Sequence, residues 1–383
     1  MGSGKRLFLY GYFGRRNTGD DAMLYAFLSV ANIVNPRLTF YVLHGEDVPK
    51  VPDRAKESIA FVPSTPTAVL RGLLAADVFV IAGGTHITGY GLNRRTVAMR
   101  TRIALLIAFS KLLGKKVYLL GVGVDTFRKT LPRHVARWIC TRADAISVRD
   151  ATSYETSREL GVGDKTVLGF DLAALLDWKN SEIEPGGEST RNHTLGFSIT
   201  PVFTLYHLDE ESDRTLVLRL GEALNTWMRK HPEWRVNLFV AHGQSNRNRN
   251  DDLQITRQLL EVLAERERVE IVGYEPNPAE MIAKVARCSA FVGMRYHACL
   301  FAYLSELPLL IIPYHPKCEA LAREIGLPKD AVVPLDVVLG GELGARLESL
   351  TEPGTRMRAT LPVSIARMRA NAAIILPSEV SRG

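Results

Sequence analysis

Short apolar runs alternate with helical spacing along the first half of the chain. Arg6–Tyr10, Leu38–Leu43, Val78–Ala82, Lys116–Gly121 and Ala145–Val148 have the length and composition of buried strands. Between them, Asp21–Ile33, Ile103–Leu113 and Ala151–Leu160 carry helical spacing, and Gly161 closes the last of these. Strands alternating with helices predict βαβ units and a parallel sheet.

The pattern stops at Trp178–Arg191, a polar stretch with Pro185-Gly186-Gly187 at its centre, which reads as a linker. It then restarts. Strands are expected at Thr194–Ser198, Arg235–Val240, Val269–Val272, Ala290–Val292 and Leu309–Ile312. Helices are expected at Arg214–Lys230, Asp252–Glu265, Pro278–Ala286, and after Val292 as far as Leu304. The prediction is an α/β chain of two doubly wound, Rossmann-like domains facing each other across a cleft, residues 1–177 and 192–350. Thr355–Ala373 reads as a last helix, in a segment 355–376 expected to pack across the domain junction.

Composition narrows this picture little. The 383 residues are 46% hydrophobic and 23% charged, as in ordinary globular proteins. The formal net charge of +7 favours anionic partners such as phosphate-bearing substrates or a membrane surface. No run of five or more Lys/Arg occurs, so a nucleic-acid patch is not signalled. Cys140, Cys288, Cys299 and Cys318 lie far apart without a CxxC pair, which argues against a zinc ribbon and suits reduced core residues. The opening MGSGKRLFLYGYFG does not read as a signal peptide. Lysines 111, 115 and 116 break the most apolar long stretch, Arg102–Val124, so no membrane span is expected. A cytoplasmic protein fits, and its basic surface permits transient contact with an anionic inner membrane face.

In doubly wound sheets, ligands bind beyond the carboxyl ends of the strands. Five segments occupy such places. Gly11–Asp21 lies between a strand and a helix; its glycines permit close backbone approach, with a tight turn and a capping aspartate as the plainer alternative. Gly83-Gly84-Thr85-His86 puts a histidine after a strand, either facing a ligand or as a plain loop residue. In Ser147-Val148-Arg149-Asp150, Asp150 has the position of a helix N-cap, and Arg149 suits a carboxylate, a phosphate or a surface ion pair. Gly293-Met294-Arg295-Tyr296-His297 opens a helix that is apolar nearly all round and therefore buried. Packing explains an arginine and a histidine there poorly. The helix start, Arg295 and a protonated His297 together suit an anion. Tyr314-His315-Pro316-Lys317 places a further cation at the same edge, or a solvated lysine.

Taken in order, GYFGRRNTGDDAML, IAGG, LGVGV, SVRDATSYETSRELGV, GFDLA and GMRYHACLFAYLSELPLLIIPYHPK resemble the blocks of the polysaccharide pyruvyltransferases, from Leu7 to Leu327. The resemblance implies a fold like that of the GT-B glycosyltransferases. It also implies phosphoenolpyruvate (PEP) as donor, bound in the interdomain cleft, and a pyruvate ketal on a sugar of a cell-surface polysaccharide or its lipid-linked precursor as product. No cofactor beyond this donor substrate and no metal is called for. Carried over by motif, Arg149, Arg295, His297 and Lys317 are the basic residues expected around PEP, and Asp20 corresponds to a recurring family acid. Gly14, Asn17, Asp20 and His86 are assigned to the acceptor side. His297, Arg295 and Asp20 are the candidate catalytic groups, with His297 as proton donor and Asp20 as acceptor of a hydroxyl proton. The sequence departs from the family where Thr85 stands for a third glycine and no acid follows before Asn93. A nucleotide-sugar glycosyltransferase, with Glu275 gripping a ribose, is the rival of similar fold. A non-catalytic glycan- or anion-binding homologue is the rival of another class.

Overall fold

The computed structural model describes residues 4–87, 94–176, 193–243, 251–355 and 357. The chain forms two compact units that change over after Leu176, except that Arg16–Gly19 belong with the second. The predicted linker Trp178–Arg191 lies outside the described residues, as does the predicted last helix beyond Met357.

The first unit holds β1 (Arg6–Tyr10), β2 (Thr39–His44), β3 (Ile59–Pro63), β4 (Val78–Ala82), β5 (Lys116–Val122), β6 (Ala145–Val148) and β7 (Thr166–Leu168). They form one sheet in the order β3-β2-β1-β4-β5-β6-β7, and every pair is parallel. The sequence Val-Phe-Val-Ile-Ala of β4 is buried throughout, as a central parallel strand covered on both faces requires. Phe8, Phe79, Leu119 and Ile146 have no exposed surface and anchor this core, each contributing roughly 1.5–3 kcal/mol of burial.

The second unit holds β8 (Thr194–Ser198), β9 (Arg235–Phe239), β10 (Val269–Val272), β11 (Ala290–Gly293) and β12 (Leu309–Ile311). Their order is β10-β9-β8-β11-β12, again all parallel. Its core centres on Phe197, Phe239, Phe291 and the fully buried Trp227, whose indole N–H donates to Thr351 Oγ1 at 3.2 Å.

Each sheet reverses its strand order once, between β1 and β4 in the first unit and between β8 and β11 in the second. At such a reversal the loops leaving the two strands diverge and open a crevice. The predicted strands are all present. Two strands went unpredicted, β3 and β7, and both are sheet edges, half exposed or only three residues long. The first helix begins at Thr18 rather than Asp21. The next long helix spans Arg94–Leu112, so the arginine-rich stretch before Ile103 is helical too.

Candidate functional site

The second unit's crevice is built from the ends of β8 and β11. Gly293 pairs with Ser198 in register, and Met294 N–H donates to the Ser198 carbonyl at 3.0 Å. Arg295 follows as the N-cap residue of the helix Tyr296–Leu304, whose side chains are buried except for half-buried His297. Arg295 itself is not a free cation. Its Nε donates to both oxygens of Asp252, at 2.9 and 3.0 Å, and its Nη2 donates to Oδ1. Asp252 is fully buried and also accepts the His242 N–H at 3.0 Å. Burial alone would lower the arginine's pKa; Asp252 and Tyr314 outweigh it and raise the value, so the charge is locked in.

Residues 16–19 run across this edge. Thr18 N–H donates to the Ala241 carbonyl just past β9, and Gly243 N–H donates to the Arg16 carbonyl. At its other end the segment meets the helix Tyr296–Leu304, where a Cβ on Gly19 would lie 1.9 Å from Nδ1 of His297. Only glycine allows this approach. Because β8 lies between β9 and β11, a segment touching both neighbours passes over the end of β8. There the hydroxyls of Thr18, Ser198 and Thr200 are buried and have no hydrogen-bond partner among the described residues. A buried hydroxyl without a partner costs about 1–3 kcal/mol, so three at one edge mark a place built to receive something polar. Lys317 completes the edge, with Nζ 5.5 Å from the centre of the Tyr314 ring, and Tyr314 is also a hydrogen-bonding partner of Arg295. His315 caps the helix Pro316–Glu324, its Nδ1 accepting the Lys317 N–H at 3.3 Å.

The first unit's crevice, between β1 and β4, is arranged differently. Gly83 and Gly84 have φ of 69° and 74°, which turns the chain sharply after β4. His86 tucks under this turn, its ring edge-on to Tyr10 with centroids 5.7 Å apart. Burial, and then the charge of Arg149, lower its pKa to about 4, so at neutral pH it is an uncharged imidazole. Its Nε2 has no hydrogen-bond partner among the described residues. Arg149 is buried as well: Nη2 donates to Thr85 Oγ1 at 2.9 Å, and the guanidinium lies 3.5 Å from Asp150 and 3.6 Å from Asp171. Its surface ion-pair reading is thereby corrected, since the pairing is interior. Asp150 also caps the helix Ala151–Glu159 by accepting the Ser153 N–H at 2.7 Å, as its position in the sequence suggested.

The structure thus brings Arg295, His297 and Lys317 to one edge of the second unit and sets Arg149 with His86 in the first. Gly14 (φ 63°) serves a turn that Asp21 pins by accepting its N–H at 2.8 Å. Asn17 braces the same loop, its Oδ1 accepting the Gly19 N–H at 3.1 Å. Asp20 is largely buried in the first turn of the helix Thr18–Val34. Glu275 is committed within the second unit, pairing with Lys284 at 2.8 Å and accepting the Asn277 N–H. Sequence reasoning missed Asp252 and the hydroxyls of Thr18, Ser198 and Thr200. Ser198 and Thr200 do stand after a predicted strand, but uncharged residues drew no attention there.

The sequence profile described as polysaccharide pyruvyl transferase matches residues 17–316. The chain belongs to this family. A curated relative, the amylovoran biosynthesis protein AmsJ of Erwinia amylovora, is 23% identical over 228 residues, covering 57% of this chain and 54% of AmsJ. The chain therefore spans about half the length of the curated relative it matches. Among solved structures, a UDP-N-acetylglucosamine 2-epimerase described as putative, from Listeria monocytogenes, superimposes with a TM-score of 0.60 at 13% identity, over 97% of this chain and 96% of that one. The UDP-GlcNAc 2-epimerase of Neisseria meningitidis, solved with UDP-GlcNAc, gives 0.58 at 10% identity, over 97% and 100%. These likenesses establish a GT-B-like fold with two Rossmann-like domains, and nothing about its substrate.

Proposed function

We propose that the chain is a ketal pyruvyltransferase in polysaccharide biosynthesis, with PEP as donor and two hydroxyls of one sugar as acceptors. The observation that carries this reading is the edge of the second unit, which holds Lys317, His297, a helix N-terminus and three buried hydroxyls without a hydrogen-bond partner among the described residues. PEP carries a carboxylate and a phosphate, with up to three negative charges. Such a ligand needs cations for its charge and donors for its many oxygens.

Asp252 neutralises much of Arg295, so the added positive charge comes from Lys317, and Arg295 acts as a fixed, oriented donor. The hydroxyls of Thr18, Ser198 and Thr200 supply neutral donors to phosphate or carboxylate oxygens. In the reaction a proton adds to the methylene carbon of PEP, leaving C2 electrophilic. One sugar hydroxyl attacks C2 and loses its proton. A second hydroxyl then displaces phosphate, and the cyclic ketal closes. In this reading His297 gives the proton or supports the leaving phosphate, and Asp20 takes a hydroxyl proton.

The first unit's set takes a supporting part in this proposal. Arg149, held by Asp150 and Asp171, fixes the Thr85 loop and with it His86, whose neutral Nε2 suits a sugar hydroxyl. Thr85, the departure from the family pattern, is the acceptor that ties Arg149 to this loop.

Thermal-shift titration tests the donor. PEP should raise the melting temperature with a saturable dependence, whereas UDP- and GDP-sugars should not. Stabilisation by a nucleotide sugar alone would favour the glycosyltransferase reading, which the engaged Glu275 does not support.

A further inference from the structure

The helix Arg94–Leu112 is apolar on two faces. Ile103 and Ile107 lie on its buried side, against the first sheet's core. The opposite side carries Val97, Leu105 and Leu112 at helical spacing, exposed by 44%, 64% and 82%. A helix apolar all round is normally covered all round, and this one is not. The neighbouring helix Thr130–Arg142 extends the stripe with Leu131, 70% exposed, and with half-buried Val135 and Trp138. Val97, Leu105, Leu131, Val135 and Trp138 line a shallow, largely apolar groove of about 280 Å³.

The flank of the groove is strongly basic. Lys129, Arg133 and Arg137 follow one another at four-residue spacing on the other side of the helix Thr130–Arg142, with Arg128 beside them. They line a second hollow of about 360 Å³ in which Glu159 is the one carboxylate. Arg142 lies over the Trp138 ring at 4.0 Å, at the far end of the apolar row. Exposed leucines beside a row of arginines match the layering of a lipid interface, with acyl chains below and phosphates above. A second copy of this chain fits poorly. A two-fold axis running across the groove sets the two basic rows against each other, and one running along it leaves both rows facing a surface without matching acids. Among the described residues no helix is long and apolar enough to cross a membrane, so the contact would be peripheral.

We propose that this face docks the protein on an anionic phospholipid surface. It deepens the proposed function by implying that the acceptor sugar is carried on a lipid, and in that respect it rests on that reading. The docking itself does not require it.

The test is co-sedimentation of the full chain with phosphatidylcholine vesicles containing about 30% phosphatidylglycerol, against pure phosphatidylcholine. Binding to the anionic vesicles alone is expected, weakening steeply by about 0.5 M salt. Arg133→Glu with Arg137→Glu should lower affinity by at least about twenty-fivefold, taking about fivefold per basic residue lost. Leu105→Ser with Leu131→Ser should lower it by at least tenfold. All four positions are exposed, and unchanged melting temperatures would verify that the variants fold. Both pairs should keep phosphate release with a water-soluble sugar acceptor and lose turnover of a vesicle-borne one. Equal binding to both vesicle types, binding to neither, or insensitivity to either pair overturns the proposal. So does a dimer in sedimentation equilibrium that the leucine pair dissolves. Vesicle binding is read without PEP, so a failure of the pyruvyl-transfer assay leaves this result intact.

Discussion

The two sheets reverse their strand order in the same way, yet the crevices at the two reversals are filled on opposite plans. In the first unit every charge is answered at once: Arg149 faces Asp150, Asp171 and Thr85, and His86 is driven neutral. In the second, one ion pair fixes Arg295 to Asp252, and the same edge holds hydroxyls without a hydrogen-bond partner among the described residues. A cluster whose charges answer one another holds loops in place, even though His86 Nε2 has no hydrogen-bond partner among the described residues. An unsatisfied one stores a cost that a ligand relieves. The proposed division, scaffolding for the first crevice and donor binding for the second, rests on this contrast.

The largest expected effect lies where the two crevices agree. Arg295→Ala leaves Asp252 buried without its cation and should cost about 3–5 kcal/mol of stability, measured by urea unfolding, along with all activity. Arg149→Ala should cost a similar amount. The arginines that sequence reading selects first are therefore poor probes of chemistry. Thr256→Val, which removes only a hydroxyl bonded to a helix carbonyl, should leave activity unchanged and serves as a control for local damage.

His297→Ala separates the crevices. It removes a half-buried ring that lies against Gly19. Turnover should fall by about 10²–10⁴ if the ring transfers a proton, with little change in the melting temperature. Phosphate release beside the unfolding curve measures both, and near-normal turnover would remove the assigned role.

The first crevice has its own signature in pH. The folded state holds His86 at about 4 against its ordinary 6.5, so the folded form binds fewer protons than the unfolded form between these values. Stability is fully present above about 6.5 and falls as the pH drops toward 4, by roughly 2 kcal/mol at pH 5. His86→Leu should flatten that part of the slope in chemical denaturation at stepped pH. An unchanged slope would mean that the imidazole is not held neutral by burial.

The smallest effects belong to the hydroxyls. Thr200→Val and Ser198→Ala should each raise the KM for PEP by about tenfold, from roughly 1–1.5 kcal/mol per lost hydrogen bond. Stability should rise slightly or hold, because each removes a buried unpaired group. Lower stability with unchanged KM would show that they serve the fold instead.

How much of this was legible in the sequence follows from what each residue contributes to pattern. The central strands are apolar because both faces are covered, so β4 and β5 announced themselves, whereas edge strands β3 and β7 did not. The motif around Arg295 and His297 stood out because two cations on an apolar helix are anomalous. What the anomaly meant was not legible. Asp252 lies 43 residues before Arg295 in the chain, and only the fold shows that the arginine's charge is already taken. Thr18, Ser198 and Thr200 look like any polar loop residues until burial leaves them without water.

The most direct test of the central claim is mass spectrometry of candidate sugar acceptors incubated with the protein and PEP, with phosphate measured in the same tube. The account predicts an acceptor whose mass rises by pyruvate less one water, one phosphate released per ketal, and loss of both in His297→Ala. A sugar added from a nucleotide donor, with PEP left intact, would contradict it.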